Sequence, residues 1–360
     1  MTILAMRRVV TNAAQQERTR TPGAAMSRVR ILALALLASL ASFAAPPAAA
    51  ELPETGALLA SLGLSPDEIA RIQAGQLVRH AVPSASEREL TAGLAFQVPV
   101  SPAQLVASSK QDLLDRVDPN MIGFGVVAPP GSPADFAKLT LAPDAAKRAA
   151  QYGSAAPGGD LNLSAAEIAA FQKLGSDATP AAVEAELRSA LLARLQGYAT
   201  QGLAGIAPYA LAGGASRSPA DELRTATNAS KKLEQYAPAA FQLLHSYPNG
   251  KPPGTEEIFR WSHFDAHGVP TIALTHVLIV PDGAARIVVQ RQFYASTGYN
   301  AEQAVAAFLP TEGGTVVVYA NRTSTDQITG FGGGTKRSLG SKVLASQLES
   351  MFEKARAQVK

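Results

Sequence analysis

The sequence predicts an α+β fold: an antiparallel sheet, a long C-terminal helix, and an α-helical region inserted at about residues 133–236. Three observations support this prediction. Closely spaced runs of strand-forming residues fill most of positions 257–320, an alanine-rich stretch with several helix-start signals precedes them, and one amphipathic segment follows them. Helices segregated from an antiparallel sheet are typical of the α+β class.

The strand-forming residues lie in four runs rich in β-branched and aromatic side chains. Turn clusters separate the runs, and Pro281-Asp282-Gly283 is the clearest of them. Connections this short join antiparallel neighbours, because a parallel pair needs a long crossover. The four predicted strands are Ile258–Phe264, Thr271–Val280, Arg286–Ala295 and Thr315–Ala320.

The segment before the alanine-rich stretch alternates between helix and strand patterns. Ser65 and Glu68 form a capping box around Pro66, which suits the first position of a helix. Apolar residues recur with period two from Leu90 to Val98, which predicts a strand with one apolar face. In order, we predict a helix at 66–75, a strand at 90–98, a helix at 102–114 and a strand at 120–127.

The alanine-rich region contains three further helix starts. Ser164-Ala165-Ala166-Glu167 is a capping box, and both Thr179-Pro180 and Ser218-Pro219 pair a capping residue with proline at the first helical position. The helix predicted from Pro180 to about Tyr198 has one apolar face. We therefore expect this insertion to cover one side of the sheet.

The last helix is amphipathic and must bury its apolar stripe, for which the sheet is the available surface. The glycine-rich loop 330–334 precedes it, and we interpret this loop as a hinge that gates a cavity. It does not match a phosphate-binding loop, because Thr335 precedes Lys336 and Arg337 follows it. The predicted stripe consists of Val343, Leu344, Leu348, Met351, Phe352 and Ala355.

The first fifty residues have the three regions of a secretory signal peptide. The basic segment 26–30 precedes the apolar run 31–37, and small residues lead to a predicted cleavage site after Ala50. Residues before Met26 are interpreted as an upstream extension. Residues 1–50 hold six arginines and one glutamate, which gives this segment a net charge of +5. Because the whole chain carries a net charge of +3, the remainder carries −2. A periplasmic or secreted protein is predicted, and nucleic-acid binding loses its support.

Composition narrows the chemistry further. The 360 residues include no cysteine, which excludes thiol nucleophiles, thiolate metal sites and disulfide exchange. No stretch after the leader is long and apolar enough to predict a transmembrane anchor. The chain contains no G-x-S-x-G motif of a serine hydrolase.

Three phrases in the chain resemble an exported bacterial family with a START-like core and no established function. They are RWSHFDAHGVPTIALTHVLIV, QRQFYASTGYNAEQAV and YANRTSTDQITGFGGGTKR. The resemblance covers residues 65–127 and 236–358, and it implies a single START-like domain at 51–360 with a helical insertion. It also implies a helix-grip-like sheet, in which an apolar ligand lies between the C-terminal helix and the strands.

The sharpest chemical candidate is the sequence His263-Phe264-Asp265-Ala266-His267. Side chains at i, i+2 and i+4 share one face of a strand, so His263, Asp265 and His267 would converge on one metal ion, with His276 as a fourth ligand. The alternative is a set of solvated hairpin residues, because His267 abuts Gly268 in the predicted turn. We favour the hairpin interpretation and predict no metal.

His276 shares a predicted strand face with Ile272, Leu274 and Leu278. A single histidine among aliphatic side chains is more often a hydrogen-bonded core residue than a ligand contact. If a pocket reaches it, the same residue would orient a ligand or act in a cyclase-like reaction.

A polar cluster follows the last predicted strand. Arg322 and Asp326 are expected to pair across a turn that includes Asn321. The alternative is that Arg322 contacts an anionic group at the mouth of a pocket.

The function we predict is non-catalytic binding of an apolar or amphipathic small molecule by an exported soluble protein, without a cofactor or nucleic acid. Two alternatives stay open: a metal-dependent or cyclase-like enzyme, and an envelope structural or interaction protein. The oligomeric state is not predicted. The candidate ligand-binding residues are Trp261, His276, Tyr294, Tyr319, Asn321, Arg322 and Asp326.

Overall fold

The structure is a computed structural model that describes residues 54–110, 116–266, 268–330 and 332–359. All of them belong to the compact unit Ala49–Lys360. The predicted signal peptide and its cleavage site lie outside the described residues, as does His267. No helix in the described ranges is long and apolar enough to cross a bilayer.

Helices and strands alternate at first, and helices then dominate up to residue 246. The helices with described bounds are α1 (Thr55–Ser61), α2 (Pro66–Gln73), α3 (Pro102–Lys110), α4 (Ala145–Gly153), α5 (Ala165–Leu174), α6 (Pro180–Gln201), α7 (Pro219–Ala229), α8 (Lys231–Tyr236), α9 (Pro238–Ser246) and α10 (Gly333–Gln358). The strands are β1 (Val78–His80), β2 (Glu89–Val98), β3 (Met121–Val127), β4 (Tyr209–Ala210), β5 (Ser216–Arg217), β6 (Glu256–Asp265), β7 (Pro270–Asp282), β8 (Ala285–Ala295), β9 (Ala301–Thr311) and β10 (Gly314–Ser324).

One large sheet organises the molecule. Its eight strands follow the order β1-β2-β10-β9-β8-β7-β6-β3, and every neighbouring pair is antiparallel. Strands β6 to β10 form a continuous meander, and β4 and β5 form a separate two-stranded ribbon. The predicted α+β class, the antiparallel sheet and the long C-terminal helix are confirmed.

The meander has five strands, whereas the sequence predicted four. The missed strand is β9, whose sequence AEQAVAAFLPT is rich in alanine and polar residues that normally favour helices. Its neighbours override that preference, because β9 pairs along most of its length with both β8 and β10.

The predicted helix starts form as expected. Ser65 and Ser164 each accept a hydrogen bond from the backbone three residues later, in complete capping boxes with Glu68 and Glu167. Thr179 and Ser218 also accept a backbone hydrogen bond, at the starts of α6 and α7, without a capping box. Helical structure continues past the predicted limit at residue 236, since α9 ends at Ser246.

The inserted helices bury one face of the sheet. The apolar face of α6 is fully buried, and its residues join strand residues such as Leu274, Leu278 and Val289 in one continuous core. Alternate residues of the strands point to this face, as the period of two requires. The buried residues of α6 in this core are Val183, Leu187, Leu191, Leu195 and Tyr198.

Helix α10 lies against the opposite face. Its Leu348 and Phe352 are buried in a second core with Phe96 and Tyr319. The Phe352 ring centre lies 5.3 Å from that of Phe96 and 4.9 Å from that of Tyr319. The prediction of the stripe is wrong at one residue, because Val343 is 43% exposed and Ala345 is buried instead. The sheet is therefore covered on both faces.

Candidate functional site

A row of polar side chains crosses the sheet on the face covered by α10. Strand pairing places Arg260 of β6 opposite Thr275 of β7, and Thr275 opposite Gln292 of β8. The row continues to Glu302 of β9 and Thr323 of β10. Directly opposed residues of antiparallel strands share one face, so these five side chains form a continuous polar strip.

A cavity of about 230 Å³ lies between this strip and α10, and we call it the polar cavity. Leu348 and Met351 of α10 contribute apolar side chains to its helix side. The sheet side is mainly polar, so the two walls differ in chemistry. The remaining lining residues are Asp118, Met121, Arg260, Ser262, Phe264, Thr275, Val277, Gln290, Gln292, Tyr299, Glu302 and Tyr319.

Glu302 is the acidic group of the strip. Its carboxylate accepts a hydrogen bond of 3.0 Å from the Thr323 hydroxyl. Burial raises the pKa of Glu302, and hydrogen bonding to Thr323 and Asn321 offsets part of that rise. These partners are neutral, so within the described residues the ionised carboxylate is stabilised without a contacting cation.

Two tyrosines border the same cavity. The Tyr299 hydroxyl donates a hydrogen bond to Gln292. The Asn321 side-chain amide donates to the Tyr319 hydroxyl at 3.2 Å. Burial is the main cause of a raised pKa at both tyrosines, so both phenols are neutral at pH 7. The cavity therefore offers the carboxylates of Asp118 and Glu302, the Arg260 guanidinium, amides and hydroxyls as hydrogen-bonding groups.

A second cavity, of about 440 Å³, lies on the opposite face of the sheet, and we call it the apolar cleft. Two cross-strand rows line it. Ile287, Ala307 and Val318 are directly opposed on β8, β9 and β10, and Val305 lies opposite Ala320 in the next row. Small and aliphatic side chains leave open space here, and Ala307 of β9 and Ala320 of β10 are the smallest of them.

Basic groups lie along the apolar cleft. Lys231 and Lys232 come from the start of α8, and Arg322 comes from β10. The buried Arg322 guanidinium pairs with the Glu89 carboxylate at 2.8 Å. His80 also lines the cleft, and burial lowers its pKa, so its imidazole is neutral at pH 7.

Three of the predicted ligand contacts lie in the packed core under the inserted helices. Trp261 is 1% exposed, and its indole nitrogen donates to the Asp135 carbonyl at 2.9 Å. The centre of the Tyr294 ring lies 4.4 Å from the guanidinium carbon of Arg194. Neither Trp261 nor Tyr294 lines the polar cavity or the apolar cleft.

His276 is the third of these residues, and the structure confirms its apolar strand face. Its ring stacks on Phe259 with centres 4.3 Å apart, and Nδ1 lies 3.0 Å from the Tyr198 hydroxyl. Burial keeps the pKa of His276 well below its ordinary value. Neither the polar cavity nor the apolar cleft reaches this side chain.

The expected pair between Arg322 and Asp326 is wrong. Arg322 bonds to Glu89, while Asp326 contacts Arg88 at 2.8 Å and Arg217 at 3.0 Å. Alternation explains the difference, because Arg322 points to the insertion face of β10 and Asp326 lies beyond the end of that strand. Asn321 points to the other face, toward Tyr319.

The proposed metal ligands do not converge in the described structure. His263 is buried, and its Nε2 lies 3.0 Å from the Arg148 guanidinium, a position that disfavours a cation. Burial and then Arg148 lower the pKa of His263 to about 4. Asp265 accepts a hydrogen bond from the backbone of Gly268. No group of three metal-binding side chains occurs among the described residues, to which His267 does not belong.

Sequence reasoning missed all five residues of the polar strip and predicted only two of their neighbours. Tyr319 and Asn321 were predicted as candidates, but Arg260, Thr275, Gln292, Glu302 and Thr323 were not. The available signal was the alternation of side chains along each strand, which places each of these five on the face that α10 covers. Combining the signals requires the register of four strand pairs, including the two that involve the unpredicted β9.

Comparisons with known proteins give no independent indication of function. No protein-family model matches the chain, and neither curated proteins nor solved structures yield a match. The functional conclusion therefore depends on the geometry of the two cavities.

Proposed function

We propose that the protein binds a small amphipathic molecule in the polar cavity, with α10 and the sheet forming a helix-grip-like binding fold. The observation that supports this most strongly is the cross-strand polar strip that faces a cavity beneath apolar residues of α10. Ligand sites commonly combine apolar walls with a few placed polar groups.

The chemistry of the strip favours a ligand with a cationic head. Glu302 has neutral hydrogen-bond partners, and its raised pKa shows that ionisation is costly in this environment. A bound ammonium group would supply the missing positive charge, and such charge-assisted hydrogen bonds are stronger than neutral ones. The apolar tail would lie against Leu348 and Met351.

Glu302 sets the direction of the ligand. It lies three strands from Arg260, or about 14 Å at the usual spacing of neighbouring strands. A cationic head therefore lies at the Glu302 end of the strip, where the contacting side chains are neutral. The neutral side chains of Thr275 and Gln292 occupy the strip between these two charged residues.

Calorimetric titration with hexylammonium tests the proposal, with hexanol and hexanoate as neutral and anionic probes of similar size. We expect hexylammonium to bind more tightly than both at pH 7. Glu302→Gln removes the negative charge and should abolish that preference, with a loss of about tenfold in affinity for a lost charge-assisted bond.

The matched control is Glu353→Gln, which changes an exposed carboxylate on α10 that pairs with Arg356. This variant should bind hexylammonium like the unchanged protein. Equal binding of all three probes, or an unchanged preference in Glu302→Gln, would contradict the proposed function.

A further inference from the structure

We infer that the apolar cleft is a second binding site, which takes an unbranched aliphatic carboxylate. It lies on the opposite face of the sheet from the polar cavity, and different residues line it. The inference therefore does not depend on the function proposed above. Its volume of about 440 Å³ falls within the usual range for small-molecule sites.

The floor of the cleft is suited to a hydrocarbon chain. It consists of aliphatic residues from three adjacent strands in register, with Ala307 and Ala320 as the smallest. Leu58 of α1 and Leu233 of α8 contribute further apolar walls. Polar groups along the floor are few, so a chain bound here would lose contact with water without leaving buried hydrogen-bonding groups unpaired.

The charges around the cleft favour one negative head group. Lys231, Lys232 and Arg322 provide three positive charges. Glu234 pairs with Lys231 at 2.9 Å, and Glu89 pairs with Arg322. These five groups leave one net positive charge, which a single carboxylate would balance.

Lys232 is the group best placed to meet that carboxylate. Its ammonium nitrogen lies 5.5 Å from the centre of the Tyr236 ring, at the border of the cleft. The other two cations already contact carboxylates of the protein. A head group near Lys232 would leave the aliphatic chain free to extend over the alanine floor.

Calorimetric titrations of the purified protein with octanoate, decanoate and dodecanoate, below their micelle concentrations, test how affinity depends on the length of the hydrocarbon chain. Affinity should rise about fourfold per added methylene until the cleft is filled. Decanol and decyltrimethylammonium test the head group, and decanoate should bind about tenfold more tightly than either. Absence of decanoate binding, or equal binding of the three ten-carbon probes, would overturn the inference.

Two variants locate the site. Ala320→Leu fills the floor and should weaken decanoate binding about tenfold or more, whereas Ala181→Leu, on the exposed surface of α6, should have no effect. Lys232→Glu changes an exposed side chain and should reverse the preference between decanoate and decyltrimethylammonium. Melting temperatures confirm folding in each case. Unchanged binding in Ala320→Leu, or an unchanged preference in Lys232→Glu, would show that decanoate binds elsewhere.

Discussion

Replacing Phe352 by alanine removes the main aromatic contact between α10 and the sheet. The side chain is buried, and its ring lies 5.3 Å from that of Phe96 and 4.9 Å from that of Tyr319. An aromatic side chain buries at least about 150 Å², which corresponds to about 4 kcal/mol of transfer free energy. Residual burial in the unfolded chain reduces this to about 3 kcal/mol.

Urea unfolding followed by circular dichroism measures the change. We expect Phe352→Ala to lower the free energy of unfolding by about 3 kcal/mol, with a similar dependence on urea concentration. Leu339→Ala is the control, because Leu339 on the same helix is 62% exposed, and it should change stability by less than about 0.5 kcal/mol. Equal effects of the two substitutions would refute the packing of α10 against the sheet.

Three further predictions concern a buried histidine, a buried ion pair and the leader. The pKa of His263 is about 4 in the folded protein against an ordinary histidine pKa of 6.5, so on acidification the unfolded chain takes up a proton before the folded protein does. Stability should therefore fall as the pH drops from 6.5 toward 4. Melting curves of His263→Gln should show a smaller loss of stability over the same pH range. Glu89→Gln leaves the Arg322 charge buried without its carboxylate and should lower the free energy of unfolding in urea by about 3–5 kcal/mol. Asp221→Asn, in an exposed pair with Arg224, is the control and should lower it by less than about 1 kcal/mol. Similar losses in the two variants would contradict the buried pair. N-terminal sequencing of protein exported from a bacterial host should begin at Glu51, and an intact Met1 or Met26 start in the exported fraction would contradict the predicted signal peptide.

The sequence was most informative where local chemistry decides local structure. Ser65 and Ser164 cap their helices as predicted, because a capping box involves residues only three positions apart. Strands β6, β7 and β8 were also predicted, since their β-branched runs are bounded by turns. The long C-terminal helix follows from its apolar stripe, although Val343 lies on the exposed side.

Long-range pairing decided what the sequence did not show. Strand β9 lacks β-forming composition, and it exists because β8 and β10 provide backbone partners on both sides. Its Ala307 leaves space for the apolar cleft, and its Glu302 completes the polar strip. The same limit explains Arg322, whose partner Glu89 lies more than two hundred residues earlier in the chain.

The predicted ligand-binding residues do not all lie together in the structure. Tyr319 borders the polar cavity, and Arg322 borders the apolar cleft. Trp261, His276 and Tyr294 point to the insertion face, where Tyr198 and other core residues pack against them. Assigning aromatic and histidine residues to a pocket requires knowing which face of the sheet each one occupies.

Carbon NMR of the Glu302 carboxyl during a pH titration is the decisive test of the proposed cation site, with Glu302→Gln used to assign the signal. We expect a pKa above the ordinary value of 4.5 in the free protein. Saturating hexylammonium should lower that pKa, because a bound cation stabilises the ionised carboxylate. A pKa that starts at its ordinary value, or one that hexylammonium leaves unchanged, would contradict the assignment of Glu302 as the group that binds the cationic head.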